Sequence, residues 1–298
     1  MDRYNGFCSG HLSFMNKEDI FLRLPCDRKS FESQIETQNA YFSPSTPVIQ
    51  SNTWTVGSMA YLINISTIWG DVVANIYRTS QRCTPVAPNP PFSSFYEDTM
   101  QRLHDWKSSL PQSHQFSASN LDYAADTGTM GIYITMHSIY HNTAMKLNRY
   151  IQKSTLSPAQ LEHHHRVARQ HAEDVLVMMD VLASRRASSP ITPSHNFGYP
   201  SKFSSPLIGF AIVSAVDILS ARFRRESIPN RLASFGGAHV EVTKLATFWQ
   251  SSKRHLALVA QRSSDMRDVM NSGDTTETCE MRDPIEDMFA RNYDSFYT

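Results

Sequence analysis

Large apolar residues recur along the chain at spacings of three and four, the pattern of helices that bury one face. Met59, Leu62, Ile63, Trp69, Val73, Ile76 and Tyr77 form one such stripe, and Tyr96, Met100, Leu103, Trp106 and Leu110 a second. Ser94 with Glu97 predicts a capping box at the start of the second stripe, and Pro111 ends it. Ser119 and Asp122 mark another start, leading to Ile132, Met136, Ile139 and Leu147. Gly128 and Gly131 predict a break early in that run. Ser157-Pro158-Ala159-Gln160 sets a capping serine before a proline at the first helical position. The stripe Leu161, His165, Ala168, Ala172, Val175, Met179 and Leu182 follows, with Arg185-Arg186 suited to the negative end of the helix dipole. Ser205-Pro206 repeats the device ahead of residues 206–219, which are apolar around nearly the whole circumference and predict a helix at the centre of the fold. Arg224-Arg225 is expected to close it. A last long helix carries Leu245, Trp249, Leu256, Val259, Met266 and Met270 on one face. No comparable run alternates with period two, so the expected class is all-α: an irregular multi-helix domain with long Ser/Pro-rich connections and a flexible acidic tail.

The connections divide the chain. Residues 84–94, with Pro85, Pro88, Pro90 and Pro91, read as an extended loop. Residues 188–205, rich in Ser and Pro, are expected to cross the surface between two groups of helices. The expected organisation is an extended opening segment (1–50), a first helix group (54–187), the Ser/Pro loop and a second helix group (206–270). From residue 274 onward seven acidic residues face two arginines, a balance of minus five, interleaved with Ile285, Met288, Phe289, Tyr293, Phe296 and Tyr297. That tail is either an ordinary solvated terminus or an amphipathic disordered segment whose charges keep aromatic groups exposed for a partner groove.

Composition narrows the function classes. The 298 residues carry 28 Lys+Arg against 28 Asp+Glu, and a zero balance argues against a free-standing DNA-binding module, which needs a cationic surplus to neutralise phosphates. The apolar run at 206–219 is interrupted by Ser214 and Asp217 and is shorter than the ~20 residues of a spanning helix. No secretory peptide is read at the start. The four cysteines, Cys8, Cys26, Cys83 and Cys279, lack the close pairing of zinc ligands. Their sparseness favours a reducing, intracellular compartment.

Candidate chemistry is thin. His137 and His141 share a helix face, as metal-binding pairs do, but His-Ser-Ile-Tyr-His lacks the glutamate of a metalloprotease helix; packing between helices is the plainer account. His163, His164 and His165 fan around about 300° of a helix, and His171 falls on another face, so a solvated, titratable surface is expected for all four. Gly128-Thr129-Met130-Gly131 has neither the spacing nor the lysine of a phosphate loop, and no serine sits in a nucleophile elbow. Asp105 beside Trp106, and Asp217 within the apolar helix, are the candidate perturbed carboxylates. Burial of Asp217 without a partner would be expensive, so it is expected to hydrogen-bond or to meet an arginine. The aromatic and methionine stripes are core, or line a pocket between helices.

Taken in order, these segments resemble the regulatory "middle homology" region of fungal zinc-binuclear-cluster transcription factors, of the xylanolytic-activator, fungus-specific type. Arg23-Leu24-Pro25-Cys26-Asp27 followed by Phe31-Glu32 is similar to the family's "RLPCD…FE" signature, with Arg28 where glutamate is common. Met1-Asp2-Arg3-Tyr4 and Ser9-Gly10 resemble the segment before the family's Gly-Arg-Pro-Ser turn, with His11-Leu12 in place of Arg-Pro. Ile68-Trp69-Gly70-Asp71-Val72 resembles the "IWG-x-V" helix. Leu103, Trp106, Ser109-Leu110-Pro111, Phe116-Ser117 and Asn120-Leu121 follow "L..W..SLP…FS..NL". His137, Tyr140-His141 and Leu147-Asn148-Arg149-Tyr150 resemble "LH..YH…LNR". Later blocks are Ser205 to Phe210, Ala215-Val216-Asp217-Ile218-Leu219-Ser220, and Phe248-Trp249. The resemblance covers residues 1 to 270.

The resemblance implies a non-catalytic regulatory domain in the control of RNA polymerase II transcription, located in the nucleus. It implies protein partners of the transcription machinery or a homodimer partner, with a small-molecule effector unidentified. The family's two zinc ions belong to an N-terminal six-cysteine cluster that this sequence does not contain, so the chain is expected to begin inside the regulatory region, to hold no cofactor of its own and to reach DNA only through that missing module. Two rival classes stand beside this reading: an all-α metal-dependent protein using His137, His141 and Asp217, and a non-functional fragment of a longer regulator.

Overall fold

The computed structural model describes residues 17–44, 56–80, 92–149, 156–188, 205–272 and 278–280. Its α-helices are α1 (Arg28–Glu32), α2 (Ser58–Ser80), α3 (Phe92–Ser109), α4 (Ala118–Asp126), α5 (Met130–Arg149), α6 (Pro158–Ser188), α7 (Leu207–Ala221), α8 (Ile228–Phe248) and α9 (Gln250–Asn271). Two three-residue strands, β1 (Arg222–Arg224) and β2 (Thr278–Glu280), pair antiparallel. The protein is all-α, as expected. No described helix is long and apolar enough to cross a membrane. Residues 1–16 and 281–298, and most of the proline-rich and Ser/Pro-rich connections, lie outside the described residues, and so do the expectations made for them.

The chain forms two compact units, whose boundary falls inside α5 between Met136 and His137. In the first, α2 packs on α3. Trp106 of α3 is buried and donates from Nε1 to the Tyr61 carbonyl of α2 at 3.0 Å, so a large apolar ring is buried without orphaning its N–H. The buried face of α2 is Ala60, Tyr61, Ile65, Ile68, Trp69 and Val72. This is rotated from the predicted stripe, because Met59 is exposed and Leu62, Ile63, Val73 and Ile76 are half-buried. The cause is an excess of apolar positions: spacing alone picks no single face when several qualify.

Local chemistry sets the helix ends. Ser117 caps α4, accepting from the Asn120 N–H at 3.1 Å, so the predicted start at Ser119 and Asp122 moves upstream. Helix α4 ends where Gly128 was expected to break it. Thr129 N donates to Ala124 O at 2.8 Å and Gly128 N to Ala125 O at 3.1 Å, a Schellman closure whose left-handed residue is Gly128, at φ +68°. Helix α3 begins at Phe92, directly after the Pro90-Pro91 pair, which puts Ser94 inside its first turn and not at its cap. Ser157 does cap α6 as predicted, with Gln160 N donating to Ser157 Oγ at 3.3 Å, and Gln160 makes the contact a reciprocal box by accepting from Ser157 N at 2.9 Å.

In the second unit, α6, α7, α8 and α9 pack around one another, and α7 touches the other three. Eleven of its fifteen residues are buried, Asp217 among them, which matches the central position predicted for it. Two expectations fail here. Arg224-Arg225 do not close α7; the helix ends at Ala221 and the pair lies in β1 and the 3-10 turn after it, with Phe223 buried between flanking arginines. The single last helix is two, α8 and α9, broken at Trp249, which is extended (φ −117°, ψ 117°) and 38% exposed. No Gly or Pro marks that break, and the Gly236-Gly237 pair concealed α8 from a periodicity reading. Gly237 is needed for packing: its N–H donates to Asp180 Oδ1 at 3.0 Å, and a Cβ there would lie 2.7 Å from the Asp180 Cα.

Candidate functional site

The signature residues of the first unit are structural fasteners. Asp27 caps α1, accepting from Ser30 N at 2.9 Å and Ser30 Oγ at 3.0 Å. Leu24 is buried and its carbonyl accepts from Asn39 Nδ2 at 3.1 Å. The Arg23 guanidinium lies 4.9 Å over the Tyr41 ring. The Pro25 carbonyl accepts from Gly57 N at 3.3 Å, and Cys26 bridges Val56. Gly57 sits so close to Cys26 that a Cβ would lie 3.0 Å from the Asp27 Cα. Arg28, which departs from the family pattern, donates to the Thr127 carbonyl at the C-terminus of α4 at 2.9 Å. Trp69 and Gly70 are buried in α2. Leu110 is buried behind Trp106, and Pro111 opens a 3-10 turn, its carbonyl accepting from His114 N at 2.8 Å. Half-buried Asp71 accepts from Lys17 at 2.8 Å and Arg102 at 3.0 Å.

His114 meets two serines in this unit: Ser58 Oγ lies 2.8 Å from its Nε2. The other ring nitrogen faces Ser113 Oγ at 3.0 Å. A hydroxyl in that place lacks the negative charge with which a triad carboxylate stabilises an imidazolium, and burial holds the His114 pKa low. The contact ties the turn after α3 to the first residue of α2.

The second unit holds two polar clusters. In the first, Asp217 on α7 accepts from Arg262 Nε on α9 at 2.9 Å, with both side chains less than a tenth exposed, as the cost of burying an unpaired carboxylate requires. Lys146 on α5 is buried within reach of the Asp217 charge. Burial pushes its ammonium down to about 8, with Arg149 adding to the effect and Asp217 opposing it. Lys146, which sequence reasoning did not select, thus lies within electrostatic reach of Arg149 and Asp217, two of the signature residues. Arg262 was legible in principle: with Val259 and Met266 it occupies a buried stripe, and a charged residue in such a stripe needs a partner.

In the second cluster, His141 Nδ1 on α5 lies 3.0 Å from His171 Nδ1 on α6 and 3.8 Å from Asp174 Oδ2. Tyr140 packs edge-on against both imidazoles, with ring centres 5.0 and 5.6 Å away. Burial first, and the Asp174 charge second, push its hydroxyl up to about 12. His137 is buried and lies outside this group among the described residues. The expected solvated histidine surface is corrected too. His171 is half-buried against His141. His164, not His165, lies in the buried stripe of α6, its Nδ1 2.9 Å from Asn148 Oδ1, with burial as the main cause of its lowered pKa. Asn148 also donates to the Ala144 carbonyl at 2.9 Å. Trp249, the last signature residue, marks the α8–α9 break. Among the described residues, His141, His171 and Asp174 are the group whose donor types and separations suit one metal ion.

In this all-α protein the described signature residues cap, pair and pack. Its relatives give the class a role. The chain is 28% identical over 158 residues to an uncharacterized transcriptional regulatory protein of Schizosaccharomyces pombe, covering 51% of this chain and 16% of that protein. It is 28% identical over 153 residues to the Zn(2)-C6 fungal-type transcription factor FTF1c of Fusarium oxysporum, covering 48% and 16% respectively. A second S. pombe transcriptional regulatory protein is 26% identical over 166 residues, covering 50% and 20%. The homologues of this chain are therefore fungal transcriptional regulators, Zn(2)-C6 factors among them, as the resemblance implied. The chain spans a fifth or less of the length of these curated relatives. No family profile matches it, and no solved structure does.

Proposed function

We propose that the chain is a helical regulatory domain that acts in the control of RNA polymerase II transcription in a fungal nucleus, without catalysing a reaction. Residues 1–270 form the regulatory region and residues 271–298 an acidic-aromatic segment presented to protein partners. It works through contacts with the transcription machinery or a second copy of itself, and DNA is reached through a separate zinc-cluster module. The observation that carries this reading is the similarity to fungal transcriptional regulators over about half the chain. The structural work of the signature residues supports it, since family residues that cap and pack belong to a scaffold.

The test is a reporter assay in yeast with the full chain fused to an unrelated DNA-binding module. A severalfold change in reporter output, lost when residues 271–298 are deleted, is expected. An unchanged reporter with the fusion stably expressed in the nucleus refutes the proposal. So does sub-micromolar, sequence-specific DNA binding by the unfused chain in an electrophoretic shift.

A further inference from the structure

Helices α5 and α6 meet in the second unit at three side chains of metal-ligating type. His141 projects from α5; His171 and Asp174 stand one turn apart on α6, at the i, i+3 spacing that puts two side chains on one face. The two Nδ1 atoms are 3.0 Å apart and the Asp174 Oδ2 is 3.8 Å from the nearer of them. All three donor atoms lie within 4.8 Å of one another. Ligands at 2.0–2.1 Å around a tetrahedral ion are separated by about 3.3 Å, so small rotations of the side chains bring the three donors onto one centre. Without an ion, the short Nδ1 to Nδ1 contact places one ring's N–H against the lone pair of the other. With an ion bound, both Nδ1 lone pairs point at the metal and that proton moves to Nε2 of the same ring.

Two further features favour a binding site over a plain histidine pair. Gln170 Nε2 donates to Asp174 Oδ1 at 3.2 Å, which fixes the carboxylate with Oδ2 toward His141; outer contacts of this kind orient metal ligands. The Tyr140 ring edges both imidazoles and limits their rotation. Asp174 is 43% exposed at its side chain while His141 is 12% exposed, so the donors are held by helices yet open to solvent on one side.

From this geometry we infer that His141, His171 and Asp174 bind one divalent first-row transition metal, with zinc the best fit, and that the ion ties α5 to α6. Two imidazoles and one carboxylate suit a borderline ion such as zinc, whereas magnesium and calcium take oxygen-only sets. Three protein ligands leave the fourth position to water. This site is independent of the transcriptional reading and is distinct from the cysteine-held zinc named in FTF1c.

The test uses the full chain stripped with chelator and titrated with zinc sulfate in a calorimeter, with magnesium chloride as the contrasting ion. One zinc per chain at micromolar affinity or tighter is expected, with a rise in melting temperature of about 5–10 °C at a hundredfold excess over Kd. Cobalt(II) is expected to give the visible absorption of a four-coordinate ion. Asp174→Asn, at a half-exposed position that spares the core, and His171→Ala are each expected to weaken zinc binding at least about tenfold. His163→Ala, at an exposed histidine of the same helix, is expected to leave it unchanged. Absence of zinc binding overturns the inference. So do affinity unchanged in both Asp174→Asn and His171→Ala, and magnesium binding as tight as zinc.

Discussion

The Asp217–Arg262 pair provides the sharpest test of how the second unit is held together. Both side chains are nearly inaccessible and meet at 2.9 Å, with the buried Lys146 ammonium sharing the field of Asp217. Removing one member of a buried pair costs about 3–5 kcal/mol, because the survivor stays buried without its counter-charge. The two deletions should not be equal. Arg262→Leu leaves Asp217 with Lys146, a matched pair of charges, and belongs at the low end, about 3 kcal/mol. Asp217→Asn leaves Arg262 and Lys146 buried as two like charges and belongs at the high end, about 5 kcal/mol. The triple replacement Asp217→Leu, Arg262→Met, Lys146→Met removes all three charges and should recover most of the loss, since apolar replacements of buried ion pairs are often neutral or stabilising. Urea unfolding followed by far-ultraviolet circular dichroism reads all three. The chain has two units, so each transition is fitted separately. At about 2–4 °C per kcal/mol, Asp217→Asn lowers the melting temperature by about 10–20 °C. Losses below about 1 kcal/mol for both single variants would refute the buried-pair account. Equal losses would refute the role of Lys146.

Two further outcomes follow from the packing and the titration of this unit. Gly237→Ala drives a methyl group into the Asp180 backbone and strains the α6–α8 contact, with an expected cost of about 2 kcal/mol or more; Gly236→Ala, which meets nothing within 4 Å, is expected to stabilise by about 0.5–1 kcal/mol through helix propensity, and thermal melts of the two variants compare them directly. His255 is buried against Gly209 and Phe210, and burial first, then Arg254, lowers its pKa from 6.5 to about 4. The folded state therefore binds this proton less readily than the unfolded chain, so the stability it supports is complete above pH 6.5 and falls away as the pH drops toward 4. That loss amounts to about 3 kcal/mol. Urea midpoints measured across this window should show the drop in the parent chain and its absence in His255→Phe.

The sequence by itself determined the helical class, because runs of apolar residues three and four apart have no other low-energy arrangement than helices packed on one face. It also determined those boundaries written in local chemistry. The Ser157–Gln160 box and the Gly128 stop depend on side chains and φ angles within a few residues, and local rules suffice for them. The need of Asp217 for a partner was legible for the same kind of reason: a charge in an apolar helix is costly wherever that helix lies.

Tertiary structure decided what depends on which helices become neighbours. Spacing named Met59, Leu62 and Ile63 beside Trp69 where the core took Ala60, Tyr61 and Ile65 beside it, because α2 is apolar on more than one side. Helix α8 was hidden by a glycine whose missing side chain makes room for Asp180 on a helix 57 positions earlier. His171 gave no sign of its role because its partner, His141, lies 30 positions away on a different helix. Periodicity reports which side of a helix is apolar; the partner that side meets is chosen by the packing of the whole unit, and the histidine–aspartate cluster and the Asp217–Arg262–Lys146 centre both come from that choice.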